Sequence, residues 1–258
     1  MILRPLHSAE SANKQWLPAW QVVEQLQRQK YESCWMITQP SHAALAGEIA
    51  AKLRSPQFPK LDADLLRAIA LHDAGWGIPD AQAITRSRSP KRQEPKSFLD
   101  TEIAEFLDAW TQSIQVAQSA GAAGAYIVSR HFQRLAEHRA GAAGDTERDC
   151  KKLQAFVTYE SQRQKRLATK QSRSEKELEL LTDLLQFCDL LSLYICSGAR
   201  ERVVFPECFG FKPRLSVQVE GYRLDPSLIE TRANFSVAAL RYPETKEISS
   251  TAIQIQIS

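Results

Sequence analysis

Residues 62–77, DADLLRAIALHDAGWG, place a histidine next to an aspartate at the end of an apolar helical run. The leading aspartate and the glycine that follows the pair predict a helix over residues 62–73. His72 follows Ile69 by three residues and Asp73 follows it by four, so both lie on or beside the apolar stripe of that helix. Such a pair is either a hydrogen-bonded helix end or one half of a metal site.

The helical pattern extends over most of the chain around this segment. Apolar spacing and end signals predict six more helices, over residues 16–30, 39–53, 100–119, 124–139, 145–167 and 174–197. Residues 80–97 contain two prolines, five cationic residues and no apolar period, which predicts a loop. Residues 1–200 are therefore expected to form a helical body.

Beyond residue 200 the pattern changes from helical to alternating. Apolar and polar residues alternate over residues 215–222, 234–242 and 251–258, as they do in half-buried strands. These segments predict a small antiparallel sheet from about residue 203 to the end. The expected fold is mainly α, with a helical domain over residues 1–200 and a β appendage over 201–258 that packs on it.

Composition limits the classes of partner. The net charge is only +3, since 33 lysines and arginines stand against 30 acidic residues. A dedicated nucleic-acid-binding protein would carry a strong basic excess, so nucleic acid is not expected as a partner.

Five scattered cysteines without a C-x-x-C pair favour the cytosol over a disulfide framework. The longest apolar stretch, residues 184–196, contains an aspartate and is too short for a membrane span, so no membrane contact is expected.

Three more polar residues lie on apolar helix faces. His42 opens the predicted helix over 39–53, and His131 follows Ile127 by four residues. Asp189 lies within LLQFCDLLSLYIC, where an unpaired carboxylate would be expensive to bury. Polar side chains that converge inside a helical body are the usual way in which helical bundles build metal sites.

Each of these residues alone has a simpler explanation. A single histidine on an apolar face is more often a hydrogen-bonded core residue, Asp73 could bond a neighbouring helix, and Asp189 could pair with an arginine such as Arg130. These explanations weaken when the order H…HD…H…D brings several such residues together. Mixed imidazole and carboxylate ligands suit a divalent ion of Mn, Fe, Mg, Ni, Co or Zn.

The order also resembles the H…HD…D signature of the HD superfamily of metal-dependent phosphohydrolases. The matching residues are His42, His72, Asp73 and Asp189, and the resemblance covers roughly residues 35–198. It implies an all-helical domain in which these residues bind one metal ion, often within a two-metal site. Gly75 and Trp76 occupy the stretch where many HD hydrolases have a lysine or histidine. The stretches ITQPSHAALAGEIA, AIALHDAGWGIPD, YIVSRHF and DLLSLYIC resemble, more closely, a bacterial family known only as a domain of unknown function.

The resemblance implies a phosphohydrolase that acts on a small phosphorylated metabolite or nucleotide. Four protein ligands would leave about two positions of an octahedral ion for water and substrate. Asp73 and His131 are the expected catalytic residues, with His131 as a general acid, a hydrogen-bond donor to phosphate or a ligand of a second metal. Arg130 and Arg134 are the expected substrate-binding residues through bidentate contacts to phosphate, unless they lie on a solvated helix face.

Two other functions stay open from the sequence. Some HD-type domains hold a di-iron centre and perform oxygen chemistry, although His131 is the one spare ligand here. A non-catalytic metal or ligand sensor is the third option. Neither a P-loop nor a G-x-S-x-G motif is present in the sequence, which disfavours nucleotide cradling by a glycine loop and serine-hydrolase chemistry. The sequence leaves the oligomeric state open.

Overall fold

Helices make up most of the chain, and short strands lie near both of its ends. The computed structural model describes residues 1–7, 15–54, 59–89, 93–140, 146–206, 217–229, 232–245 and 250–258. The helices are α1 (Ala19–Gln27), α2 (Gln39–Lys52), α3 (Ala63–Ala70), α4 (Gly77–Arg88), α5 (Ile103–Ala117), α6 (Gly121–Arg139), α7 (Glu147–Ala168) and α8 (Glu175–Cys196). The strands are β1 (Ile2–Pro5), β2 (Leu17–Pro18), β3 (Cys34–Ile37), β4 (Val203–Val204), β5 (Gln218–Glu220), β6 (Arg223–Asp225), β7 (Ala233–Tyr242) and β8 (Ser250–Ile257).

Side-chain caps begin several of the predicted helices. The capping residues of α2, α3, α7 and α8 are Thr38, Asp62, Thr146 and Ser174. Each side chain accepts a hydrogen bond from a backbone amide of the first turn, and such a cap contributes about 1 kcal/mol to stability. The mainly helical fold is confirmed, because each helix that the sequence predicts is present with ends within a few residues.

Helix α8 lies at the centre of the helical body, where it packs against α1, α2 and α6. Leu185, Leu191 and Ile195 are fully buried, and few side chains of this helix reach solvent. Burial of apolar surface, at about 25 cal/mol per Å², makes α8 the core of the body. Asp189 lies in the middle of this apolar helix.

The segment predicted as a loop, residues 80–97, is helical in its first half, so that prediction is wrong there. The first turn of α4 contains Pro79, at a position where the missing amide hydrogen costs nothing. The buried Asp80 carboxylate accepts a 2.6 Å hydrogen bond from the backbone amide of Gln39, and this bond connects α4 to the start of α2. Helix α4 buries little else, and this explains the missing apolar period. Residues 90–92 lie outside the described part of the chain.

The first sheet has the strand order β1-β3-β7-β8, and its neighbouring strands are antiparallel. The long β7–β8 pair sets Phe235 opposite Ile255, as the alternating pattern predicts. The sequence predicts strands only beyond residue 203, and this is wrong for β1, β2 and β3. Ile2 pairs with Ile37 and both are fully buried, but strands of four residues are too short to show an alternating pattern.

The second sheet has the order β2-β4-β5-β6, with a parallel β2–β4 pair. Leu215, where the predicted alternation begins, lies outside the described residues. Strand β7 packs on α2, as the prediction of a sheet on the helical body requires. Each sheet contains strands from both sides of residue 200, and a domain boundary there stays a prediction. Among the helices described here, none is long and apolar enough to cross a bilayer.

Candidate metal centre

Four ionisable side chains meet inside the helical body. They are His42 on α2, His72 and Asp73 directly after α3, and Asp189 on α8. One candidate ligand atom from each lies within 4.8 Å of the others, and all four residues are buried. The sequence places these residues on the apolar faces of their helices, and the convergence predicted from that pattern is confirmed. We call this group the His/Asp cluster.

His42 is held between the turn after α3 and helix α8. It lies in the first turns of α2, which begins at the Thr38 cap, and its side chain is fully buried. Its Nε2 atom is 2.8 Å from Oδ2 of Asp73, and its Nδ1 atom is 2.9 Å from Oγ of Ser192. The Oδ1 atom of Asp189 is farther from Nδ1, at 3.8 Å.

His72 and Asp73 lie in a tight turn and not in the helix that the sequence predicts over 62–73. Helix α3 ends before the pair, and the chain continues through hydrogen bonds between residues three apart. One of them runs from the Ala74 amide to the Leu71 carbonyl at 3.0 Å. The tighter winding brings both side chains to the same cluster.

Two glycines let this turn lie close to its neighbours. A Cβ atom at Gly75 would be 2.1 Å from the carbonyl oxygen of Ala109 on α5, and the Gly75 amide donates to Oγ of Ser113 at 2.9 Å. A Cβ atom at Gly47 of α2 would be 2.7 Å from Cβ of Ala70. Because protein interiors are close-packed, a side chain at either glycine would push a helix away from the turn.

The hydrogen bonds of the two rings fix the position of each ring hydrogen. Nδ1 of His72 is 2.8 Å from the carbonyl oxygen of Ile69, which only accepts, so this nitrogen donates. The Ser192 hydroxyl donates its single hydrogen to the Asp189 carbonyl at 2.8 Å, so its oxygen accepts from Nδ1 of His42. A neutral imidazole has one N–H, and both Nε2 atoms are therefore left as acceptors.

Both Nε2 atoms face carboxylate oxygens, which are acceptors too. The distances are 2.8 Å from His42 to Asp73 and 3.2 Å from His72 to Asp189. Two acceptors this close need a proton or a cation between them. Ligand atoms at about 2.1 Å from an octahedral ion are about 3 Å apart on adjacent corners, so the cluster fits a shared divalent cation.

Protons hold the cluster together when no cation is bound. Burial opposes a charged His72, but the carboxylates of Asp73 and Asp189 outweigh it and raise the pKa of His72 to about 9. Burial also opposes a charged Asp189, yet the hydrogen bond from His72 and the surrounding imidazoles lower its pKa to about 2. The buried Asp189 carboxylate thus stays ionised at neutral pH because positive charge lies beside it.

His131 on α6 lies beside the His/Asp cluster and faces inward, as predicted. Its Nε2 atom is 3.6 Å from Oδ2 of Asp189, and its ring meets the His72 ring edge-on at a centroid distance of 5.7 Å. Its Nδ1 atom is buried and finds no hydrogen-bond partner in the described part of the chain. Burial lowers the pKa of His131 to about 4, so the ring is neutral at pH 7. Its catalytic role stays a prediction.

Arg130 and Arg134 donate to carboxylates on α8. Arg130 binds Glu179 at 3.0 Å, and Arg134 binds both Glu179 at 2.6 Å and Asp183 at 2.7 Å. Arg130 therefore pairs with Glu179 and not with Asp189, the partner that the sequence left open. Both guanidinium groups belong to an ion-pair network between α6 and α8 in place of a freely solvated face. Their part in substrate binding stays a prediction.

Sequence reasoning missed Ser192, which supports two residues of the cluster. It follows Asp189 by three residues in α8 and so lies on the same helix face, which was the available signal. The contact between His72 and the Ile69 carbonyl had no such signal, because it depends on the turn that ends α3.

Comparison with known proteins identifies one family. The family described as "Protein of unknown function (DUF3891)" matches residues 26–231. This range contains the whole His/Asp cluster and helices α2 to α8. No curated protein and no solved structure matches the chain.

Proposed function

We propose that this chain, which belongs to the family of proteins of unknown function DUF3891, is a metal-dependent phosphohydrolase for a small phosphorylated metabolite or nucleotide. The observation that carries the proposal is the buried His/Asp cluster, whose ligand atoms lie within 4.8 Å of one another. Buried ionisable groups are normally paired or bound to metal. These four pair chiefly with one another, and their imidazole–carboxylate distances of 2.8 and 3.2 Å fit neighbouring ligands of one cation.

The resemblance to the HD superfamily supports this function. In that superfamily the four signature residues come from separate helices of an all-helical domain. Here the corresponding residues come from α2, from the turn after α3 and from α8. We therefore include an HD-like helical domain in the proposal.

The His/Asp cluster would hold one divalent ion through two imidazoles and two carboxylates. Such an ion lowers the pKa of a coordinated water towards neutrality and polarises a phosphoryl oxygen. Two carboxylates balance the charge of a divalent ion, so the loaded cluster would not repel an anionic phosphate. A neutral substrate would gain less from the same centre.

The carboxylates form the side of the cluster that reaches solvent. The side chains of Asp73 and Asp189 are 10% and 12% exposed, whereas those of His42 and His72 are 0% exposed. Substrate would approach from the carboxylate side, and the small exposed fraction of these two side chains favours a small end group such as a phosphoryl group. From that side Asp73 would orient the attacking water and accept its proton.

His131 and Arg134 both lie on α6, and Nε2 of His131 is 3.6 Å from Oδ2 of Asp189. The unpartnered Nδ1 atom of His131 gives this ring an unused nitrogen for a phosphoryl oxygen or a leaving group. Arg134 has five N–H donors, and its contacts to Glu179, Asp183 and Gln186 use three of them and leave two for a phosphate. Arg130 would act in the same way from the neighbouring turn of α6.

The experiment that tests this function begins with protein stripped by a chelator and reloaded with Mn²⁺ or a similar ion. A panel of phosphomonoesters, nucleotides and cyclic dinucleotides is then assayed. We expect hydrolysis of at least one member, and we expect His72→Ala to abolish it because a metal ligand is lost. His138→Ala is the matched control, since His138 is exposed at the far end of α6 and should keep full activity.

Three results would overturn the proposal. The first is a loaded protein that is inert across the panel, and the second is activity that persists in the His72→Ala variant. The third is a metal content of the purified protein that fits another function. Two irons with oxygen-dependent turnover point to an oxygenase, and no bound metal points to a non-catalytic protein.

A further inference from the structure

We infer that Ser192 is a positioning residue that makes His42 present Nε2, and not Nδ1, to the metal ion. The inference rests on the metal site of the proposed function and goes further, because it assigns a role to a residue outside the His/Asp cluster. Ser192 is fully buried on α8 and touches two members of the cluster at once.

The direction of each hydrogen bond follows from the number of hydrogens available. A serine hydroxyl has one hydrogen, and that of Ser192 goes to the Asp189 carbonyl oxygen at 2.8 Å. The serine oxygen is then left to accept from Nδ1 of His42 at 2.9 Å. Nδ1 is occupied as a donor, and the lone pair of a neutral ring lies on Nε2, which points at Asp73.

In the part of the chain that the structure describes, the hydrogen bond of His42 Nδ1 is the one to Ser192. Oδ1 of Asp189 also lies near Nδ1, but at 3.8 Å it is beyond hydrogen-bond length. The His72 ring lies edge-on to the His42 ring at a centroid distance of 5.3 Å and offers it packing. Ser192 is therefore the group that decides which nitrogen of His42 carries the hydrogen.

Removal of the Ser192 hydroxyl should weaken metal binding more than it destabilises the fold. In Ser192→Ala, the His42 ring is free to move its hydrogen to Nε2 and donate it to Asp73. That hydrogen would lie where the ion would bind, and it would complete the hydrogen bond between His42 and Asp73 in the metal-free protein. We expect metal affinity to fall by roughly 10–100-fold, the usual effect of losing a group that orients a metal ligand.

Thr182 offers a matched control on the same helix. Its side chain is fully buried and donates to the Leu178 carbonyl at 2.8 Å, and it has no hydrogen bond to the cluster residues in the described structure. Thr182→Val removes a buried helical hydroxyl without touching the site. Ser192→Thr restores a hydroxyl at position 192 and should recover metal affinity.

The experiment measures Mn²⁺ affinity by chelator competition for the full-length wild type and the three variants, with melting of each metal-free protein. The expected result is weakened binding in Ser192→Ala alone, with a metal-free melting temperature close to that of Thr182→Val. Wild-type affinity in Ser192→Ala would overturn the inference. A wild type that binds no Mn²⁺ would overturn the proposed function itself, so the two failures are distinguishable.

A second measurement does not depend on how any variant folds. Nitrogen NMR of the wild type with labelled histidine and bound Zn²⁺ reports which ring nitrogen carries hydrogen. The inference requires hydrogen on Nδ1 of His42 and metal on Nε2. Metal on Nδ1 would contradict the role given to Ser192.

Discussion

The Nε2 atom of His42 and the Oδ2 atom of Asp73 lie 2.8 Å apart, although 31 residues separate them in the chain. The hydrogen bond from His42 to Ser192 leaves this Nε2 atom as an acceptor, and the carboxylate is an acceptor as well. The contact therefore needs a positive species between the two atoms, which is the physical basis of the proposed metal site.

The first prediction concerns the close approach that holds the HD pair in place. Gly75→Ala should destabilise the fold by at least about 2 kcal/mol, because its methyl group would lie 2.1 Å from the Ala109 carbonyl oxygen. The same change should weaken metal binding, since Asp73 lies two residues before this glycine. Urea denaturation and metal titration measure the two effects.

Gly77→Ala is the control for that prediction. Gly77 has helical backbone angles and nothing within 4 Å of its Cβ position. Alanine there should leave stability unchanged or raise it by about 0.4–1 kcal/mol. Equal effects of alanine at Gly75 and Gly77 would contradict the role given to the close contact.

The second prediction is a pH dependence of the metal-free protein. His72 has a pKa raised from 6.5 to about 9, so the folded state holds a proton that the unfolded state releases earlier. This stabilisation is complete below pH 6.5 and is lost as the pH rises through 9. Melting temperatures in chelator should fall across that window, and the fall should be absent in His72→Gln.

A bound divalent ion should reverse this trend, because the ion takes the place of the His72 proton. Metal affinity should rise with pH over the same window, and binding should release protons to the buffer. Calorimetry in buffers of different ionisation enthalpy measures that release. Binding without proton release below pH 9 would show that the ion does not displace this proton.

The third prediction separates two carboxylates on α8. Asp189→Asn removes a metal ligand. Its metal affinity should therefore fall by more than the roughly 10–100-fold expected when a group that only orients a ligand is lost. Asp183→Asn should keep wild-type metal affinity, since its carboxylate binds Arg134 at 2.7 Å and lies outside the His/Asp cluster. Metal content after dialysis compares the pair directly. Equal loss in both variants would contradict the assignment of Asp189 as a ligand.

The fourth prediction concerns the ion pair between α6 and α8. Arg134→Gln should cost about 3 kcal/mol of stability, because it removes the guanidinium that donates to the buried Asp183 carboxylate. Adding Asp183→Asn to that variant should recover part of the loss in urea denaturation. If Arg134 also binds substrate phosphate, KM should rise in Arg134→Gln while metal affinity stays unchanged.

The sequence predicts the helices and the His/Asp cluster for reasons that are local. Apolar spacing and capping residues mark the helices, and the cost of burying Asp189 points to a partner or an ion. The inward phase of His42 and His72 then identifies candidate ligands. Each of these features depends on the spacing of residues within one segment, so it can be predicted without knowing how the helices pack.

The remaining features depend on distant contacts. The turn that ends α3 is set by Gly75 against Ala109, which is far along the chain. Helix α4 lacks an apolar period and is anchored by Asp80 at the start of α2. The partners of Arg130 and Arg134 follow from the packing of α6 on α8, which helical spacing alone does not give.

The most direct test of the metal site is anomalous X-ray diffraction from crystals of the protein loaded with Mn²⁺. We expect one anomalous peak at roughly 2.0–2.3 Å from Nε2 of His42, Nε2 of His72 and one carboxylate oxygen each of Asp73 and Asp189. No peak inside the His/Asp cluster, or a peak bound by other residues, would contradict this expectation.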